Sequence, residues 1–427
     1  MSLLIAASGA LPIFAADEPA ETTAVTTTAE TVEPAETTAT TAPEGEPAEI
    51  AEENIYTYTI AGLGEVKSAS VEALGAATNL YRYSCQNGKT AQTVYAVSVD
   101  PSRGGIVRGM NLGDRLGSRV SVSTLVGSEK KDETLLAAVN ADFFSLQTGV
   151  PLGVYIEDGR YISSSDGNMA IGFDKNGKAF FGKVEDTVTI EFGGKRHDVE
   201  YMNKYPTIYG VYLLTEDYAP TTRMPTDVPA NEYVIDLNDE INSGDHVRGK
   251  VTEIRRGAFE NEIPEGCAVL VVPDDYIGKA AYEGLEVGNR VYIEVEVSKQ
   301  FSKAVSAVGG GSIILADGKL APDIADEDLE TRQHPRTAMG ITESGEVMLF
   351  VADGRQSSYA VGLTMTELAE AMRALGCTDA INLDGGGSSV VVLFDGTESS
   401  IANSPAEKPE RKVPNALAVY EQIRQEL

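Results

Sequence analysis

Between Asp17 and Glu53 the chain is almost entirely Thr, Ala, Pro and Glu, with no Lys or Arg. Such a stretch buries too little apolar surface to offset the entropy of ordering it, and its carboxylates repel one another. It reads as a disordered tether. Whatever folds must lie beyond it, over 54–427. Ahead of it, Leu3 to Ala16 form a run rich in Leu, Ile and Ala that ends in Phe14-Ala15-Ala16 before Asp17. Residues 1–16 therefore read as the apolar core and cleavage zone of a truncated signal peptide lacking its basic start. The run is shorter than the about 20 apolar residues that span a bilayer, so no transmembrane span is expected. This order of parts implies a secreted or extracellular protein, set away from a cell surface by its tether.

The formal net charge is −31. That field repels polyanions, and no basic stripe of the kind a nucleic-acid binder needs is present. An anionic substrate would have to be captured by a few local Arg residues. Cys85, Cys267 and Cys377 are too widely spaced for a zinc pattern or a disulfide framework. With His only at 197, 246 and 334, a Ser-His-Asp hydrolase or a His-rich metal site is not expected.

From Ile55 onward, alternating segments such as Tyr56 to Ile60 and Thr93 to Val99 predict strands. Ser121 to Val126 predicts a short helix, and Leu135 to Val139 a buried strand delivering Asn140-Ala141-Asp142-Phe143-Phe144. Residues 199–297 read as a strand-rich lobe of the same domain. The clearest helix runs from Met365 to Leu375, with Thr364 and Glu367 forming a capping box and Gly376 ending it. The expected class is α+β: twisted, mostly antiparallel sheets with a few packed helices, in one catalytic domain.

Candidate chemistry gathers where apolar strands end. Ala380 to Leu383 delivers Asp384-Gly385-Gly386-Gly387-Ser388-Ser389. Three glycines allow close backbone approach to a ligand, their N–H groups form an anion nest, and the two serines add hydroxyls; the alternative is a tight turn beside a strand. Val347 to Ala352 delivers Asp353-Gly354-Arg355, which also reads as a hairpin turn. His334-Pro335-Arg336-Thr337 offers a guanidinium whose planar fork matches phosphate or carboxylate. Asn140 and Asp142 share parity and so face one cleft, while Phe143 and Phe144 read as core rather than as a sugar platform. Carboxylate, Arg and Gly together suit glycoside chemistry beside a phosphate.

Several of these pieces occur in a recognisable order. They are Val139-Asn140 with Phe143-Phe144; Pro151-Leu152-Gly153 with Asp158-Gly159; Gly309 to Gly311 with Asp317-Gly318; Pro335-Arg336-Thr337-Ala338; Asp353-Gly354-Arg355; Gly362-Leu363-Thr364; Asn382 to Ser389; Asn403; Arg411; and Asn415-Ala416. In this order the chain resembles the phosphodiester glycosidase family. The resemblance implies a carbohydrate-active hydrolase acting on a sugar-1-phosphodiester, with bacterial relatives linked to cell-envelope or exopolysaccharide metabolism and an envelope glycan as a partner. It adds Arg411 and Asn415 to the substrate-binding set. Asp142 stands where the family often has glycine, as either an extra cleft carboxylate or a bulkier turn residue.

On this reading Asp384 is the leading carboxylate for activating water or stabilising an oxocarbenium-like charge, with Asp353 second and Asp142 third. Arg336 and Arg355 clamp the phosphate, aided by N–H groups of Gly385, Gly386 and Gly387 and the hydroxyls of Ser388 and Ser389. Asn140 holds the sugar. No cofactor is expected. The rivals are a phosphodiesterase with a divalent cation on Asp353 and Asp384, and a non-catalytic polysaccharide-binding protein.

Overall fold

The computed structural model describes residues 58–422, except 113–114, 130–133, 207–209, 226–228, 243, 245, 323 and 325–331. The expected leader and tether lie outside the described residues. The chain divides between Ile55 and Tyr56, and the second unit is the one described.

Its centre is a nine-stranded sheet. Across it the strands run Thr59–Ile60, Gly64–Ala73, Thr78–Asn87, Thr90–Val99, Val347–Ala352, Arg336–Thr342, Cys377–Leu383, Ile313–Ala316 and Lys319–Leu320. Thr90–Val99 is buried continuously from Gln92 onward, as expected for a strand covered on both faces. Tyr95, Val97 and Val99 enter one core with Leu349, Val351 and Ile381. Val94 and Ala96 enter the opposite core with Ala338, Phe350, Leu368 and Met372.

The first of these cores is closed by a five-stranded sheet of Ser399–Ile401, Val391–Phe394, Thr134–Asn140, Asn415–Glu421 and Gly105–Asn111. Its Val139, Leu417 and Val419 face the central sheet. Its outer face carries helix α1 (Val122–Ser128), which buries Val122, Leu125 and Val126 against Ala138, Ala416 and Ala418. Helix α2 (Met365–Ala374) covers the other face of the central sheet. The fold is thus α+β, with the sheets carrying most of the core.

A further five-stranded sheet, including Tyr155–Glu157, Met169–Asp174 and Ala304–Gly309, joins this body to an eight-stranded sheet. Tyr155, Ile171 and Val308 face the central core, while Ile156, Ala170 and Ala307 face the lobe. The lobe begins at Asp186, before the Val199 boundary read from sequence, because Asp186–Phe192 pairs with both Lys195–Val199 and Arg290–Val297. All three cysteines are free.

Helix α2 starts where its capping signal places it. Thr364 Oγ1 accepts from the Glu367 N–H at 3.1 Å, and Glu367 Oε2 accepts from the Thr364 N–H at 2.8 Å. Gly376 follows at φ 94°. Thr364→Ala removes one half of this box and is expected to lower the unfolding free energy by about 1 kcal/mol. Urea denaturation measures it, and an unchanged midpoint would mean the cap does not hold the helix start.

Candidate active site

Antiparallel pairing gathers three motifs at one sheet edge. Arg336 pairs with Ala352 and Thr337 with Leu383. The start of one strand therefore lies beside the ends of its two neighbours, and His334-Pro335, Asp353 to Arg355 and Asp384 to Ser389 emerge together. Glycine lets them touch. A Cβ on Gly362 would lie 2.3 Å from the His334 carbonyl, on Gly354 2.6 Å from Pro335 N, and on Gly385 2.9 Å from Pro335 O. Gly386 donates its N–H to Pro335 O at 2.9 Å.

Asp384 keeps part of its surface open to solvent, yet desolvation raises its carboxyl to about 6. The Ser388 hydroxyl, Arg411 and the Gly385 N–H pull the other way without cancelling it. A carboxyl that is both accessible and held near neutrality suits proton transfer.

Guanidinium groups flank it. Arg411 pairs with Glu407, donating from Nε to Oε2 at 2.9 Å and from Nη2 to Oε1, and its Nη1 reaches Ser388 Oγ at 3.4 Å. Arg355 is exposed and adopts φ 58°, a left-handed conformation that costs a non-glycine residue about 1–2 kcal/mol. A Cβ on Gly386 would lie 3.2 Å from Arg355 Nη2, so the group sits over the glycine loop. Among the described residues no carboxylate forms a salt bridge with Arg355. His334 Nδ1 lies 3.5 Å from Arg355 Nη2. Burial, then Arg355, Arg336 and Arg332, push that imidazole down to about 4, so it is neutral at physiological pH. Glu407 is held below the usual carboxylate range, mainly by its hydrogen bonds from Arg411.

The structure corrects several expected roles. Asp353 is 1% exposed and accepts from Asn403 Nδ2 at 2.8 Å, from the Ser404 N–H at 3.0 Å and from Tyr359 Oη at 3.0 Å. It anchors the loop at Asn403 and Ser404. Asn140 is fully buried and bonded within the protein. Its Nδ2 donates to Asp384 O at 2.5 Å, and its Oδ1 accepts from Thr337 Oγ1 at 2.9 Å and the Val390 N–H at 3.2 Å. Asp142 is 2% exposed and accepts the Gly153 N–H at 2.9 Å. Burial pushes it up and pushes the neighbouring Lys204 down. Lys204 donates to the carbonyls of Pro151, Leu152 and Gly153. The pair buttresses the cleft wall.

Arg336 comes beside Asp384, one step beyond the Thr337–Leu383 pair. Its Nε donates to Leu363 O at 2.9 Å and its Nη2 to Arg332 O at 3.0 Å. Two of its guanidinium nitrogens therefore donate to backbone carbonyls. The nest is also partly filled: Gly385 N–H serves Asp384, and Gly386 N–H serves Pro335. Ser388 serves Asp384 and Arg411, and Ser389 Oγ lies 3.2 Å from Thr337 Oγ1. Asn415 Oδ1 accepts the Asp142 N–H at 3.0 Å, while its Nδ2 is buried without a partner.

Glu407 escaped the sequence reading because nothing local separates it from the many other carboxylates. Its only signal is the Arg four residues on. Phe143 was read as core, but it is half-buried and belongs to none of the core clusters, whereas Phe144 is core. Among the described residues no three His, Cys, Asp or Glu side chains converge as a metal site. Both Asp353 oxygens face hydrogen-bond donors of the protein.

Residues 246–420 match the family model for phosphodiester glycosidase. That segment contains Arg336, Arg355, Asp384, Glu407 and Arg411. Over 90 residues the chain is 38% identical to mouse N-acetylglucosamine-1-phosphodiester alpha-N-acetylglucosaminidase and 36% identical to the human protein. The match spans 20% of this chain and 17% of each relative. Among solved structures, a Synechocystis protein aligns with TM-score 0.68 and 19% identity over 83% of this chain and 64% of its own. A Burkholderia pseudomallei protein described as exported aligns with TM-score 0.68 and 18% identity over 84% of this chain and 98% of its own. At these identities the two structures share the fold.

Asp353→Ala strands the donors of Asn403, Ser404 and Tyr359, and is expected to cost about 2–4 kcal/mol of stability. Glu407→Gln loosens a solvent-screened ion pair and should cost less than about 1 kcal/mol. Chemical denaturation of both variants checks the assignment, and the reverse ranking would overturn it.

Proposed function

We propose that this chain, which carries a phosphodiester glycosidase-family domain, hydrolyses the bond between a sugar's anomeric carbon and the phosphate oxygen of a sugar-1-phosphodiester. One observation carries the reading: a partly accessible carboxyl raised by burial lies beside Arg411, and the exposed Arg355 lies over the glycine loop that follows it, in a chain of net charge −31. Among the described residues Arg355 forms no salt bridge with a carboxylate, and a phosphate is a matching ligand for such a guanidinium.

In this mechanism Arg355 and Arg411 hold the phosphate. Water attacks the anomeric carbon, and Asp384 takes its proton. The C1–O bond breaks with its electron pair going to the phosphate oxygen. A departing phosphomonoester has a second pKa of about 6, so the site needs little protonation of the leaving group and relies on electrostatic stabilisation instead. Glu407 keeps Arg411 turned toward Ser388 and the glycine loop.

The apolar run at Leu3 to Ala16 and the acidic tether support a setting for this activity outside the cytoplasm, at or near a bacterial cell surface. The reading extends to cell-envelope or exopolysaccharide glycans as the substrate source. Among the described residues no helix is long and apolar enough to cross a membrane.

Because burial raises Asp384 to about 6, the acting carboxylate is lost as pH falls through that value. kcat/KM on a GlcNAc-1-phosphodiester is expected to drop along an acid limb centred near pH 6. Asp384→Asn should abolish turnover. It should also raise Tm at pH 7.5, because the buried charge is gone; the gain should shrink below about pH 5, where the native carboxyl is already protonated. Turnover by this variant at the wild-type rate would remove Asp384 from the chemistry.

A further inference from the structure

Asn382 is 8% exposed, and its Oδ1 is buried with no hydrogen-bond partner. Most buried polar groups in native proteins are paired, so an orphaned amide oxygen points to something missing. Its place indicates what is missing. Asn382 lies two residues before Asp384, so both side chains leave the same face of the chain. Its amide borders Gly311, where a Cβ would lie 3.2 Å from Asn382 Nδ2 and 2.8 Å from Phe143 Cε2. A half-buried aromatic ring and an unmet amide therefore meet over one glycine.

The atoms nearest a Cβ on Gly311 belong to Phe143 and Asn382, whereas those nearest Gly386 belong to Arg355 and those nearest Gly387 to Glu407 and Arg411, on the other side of Asp384 in the chain. The cleft is polarised, neutral toward Asn382 and Phe143 and cationic toward the arginines.

We propose that Asn382 and Phe143 hold the sugar of the substrate and so set its direction across Asp384. The apolar face of the ring rests on Phe143, and a sugar O–H or N–H donates to Asn382 Oδ1. The phosphate then falls on the arginine side. This deepens the glycosidase reading and rests on it.

The test uses two separate probes, N-acetylglucosamine and inorganic phosphate, in ligand-observed NMR titrations alongside thermal melts. Asn382→Leu and Phe143→Ala are each expected to weaken sugar binding about tenfold or more and leave phosphate binding unchanged. Arg355→Gln should do the opposite. Asn382→Leu should leave Tm unchanged or raised, because it removes a buried polar group that no protein atom satisfies. A lowered Tm, or sugar binding equal to wild type in both variants, overturns the assignment while leaving the glycosidase reading in place. Wild-type protein that binds phosphate but no sugar, and turns over no sugar-1-phosphodiester, overturns both.

Discussion

The cleft depends on how closely other segments approach the backbone of His334 and Pro335. Gly354, Gly362 and Gly385 each pack where a methyl group would collide with that backbone. Gly386 adds a hydrogen bond to Pro335 O. Proline fixes the direction of the segment and glycine removes the steric barrier around it. The central sheet supplies the register that brings these glycines together, so packing around Val97 and Leu349 is what positions Asp384 against Arg355. The site is a product of sheet pairing, with its loops held by contacts too short for any other residue.

Electrostatics then divide the cleft's two accessible carboxyl groups. Asp384 is raised because desolvation outweighs Ser388, Arg411 and the Gly385 N–H. Glu407 is lowered because Arg411 holds it at a more open position. Environments that push two carboxyls apart in this way assign them different work. The chain's large negative charge is less of an obstacle than its total suggests. Screening limits exposed charges to about 8 Å at physiological ionic strength, so an anion in the cleft responds chiefly to Arg355, Arg411 and Arg336. His334 stays neutral among them and adds no charge of its own.

Much of the fold was legible because it is written locally. The capping box of α2, the apolar runs at Val347 and Ala380, and the serine before α1 each need only a few neighbouring residues. The meeting of Asp384 with Arg355 was legible for a related reason: acid, Arg and Gly follow buried strands, and buried strands converge. The roles of Asp353, Asn140 and Asp142 were not, since each is decided by distant donors. Asp353 answers to Asn403 and Ser404, Asn140 to Thr337 and Val390, and Asp142 to Gly153 and Lys204. The lobe boundary moved for the same cause, as Asp186–Phe192 is defined by pairing with Arg290–Val297.

What separates scaffold from chemistry here is whether a polar group's bonding is complete within the protein. Folding rewards paired groups and penalises buried unpaired ones. Asn140 and Asp353 are saturated and buried, which makes them parts of the frame that holds Asp384. Among the described residues Arg355 forms no salt bridge with a carboxylate, Asn382 Oδ1 lacks a donor, and Asp384 is protonated more readily than an exposed aspartate. Arg336 lies between these classes. Its Nε and Nη2 donate to the Leu363 and Arg332 carbonyls, yet its charge still depresses His334. A guanidinium held by carbonyls can act through its field, and those partners keep that field fixed in place.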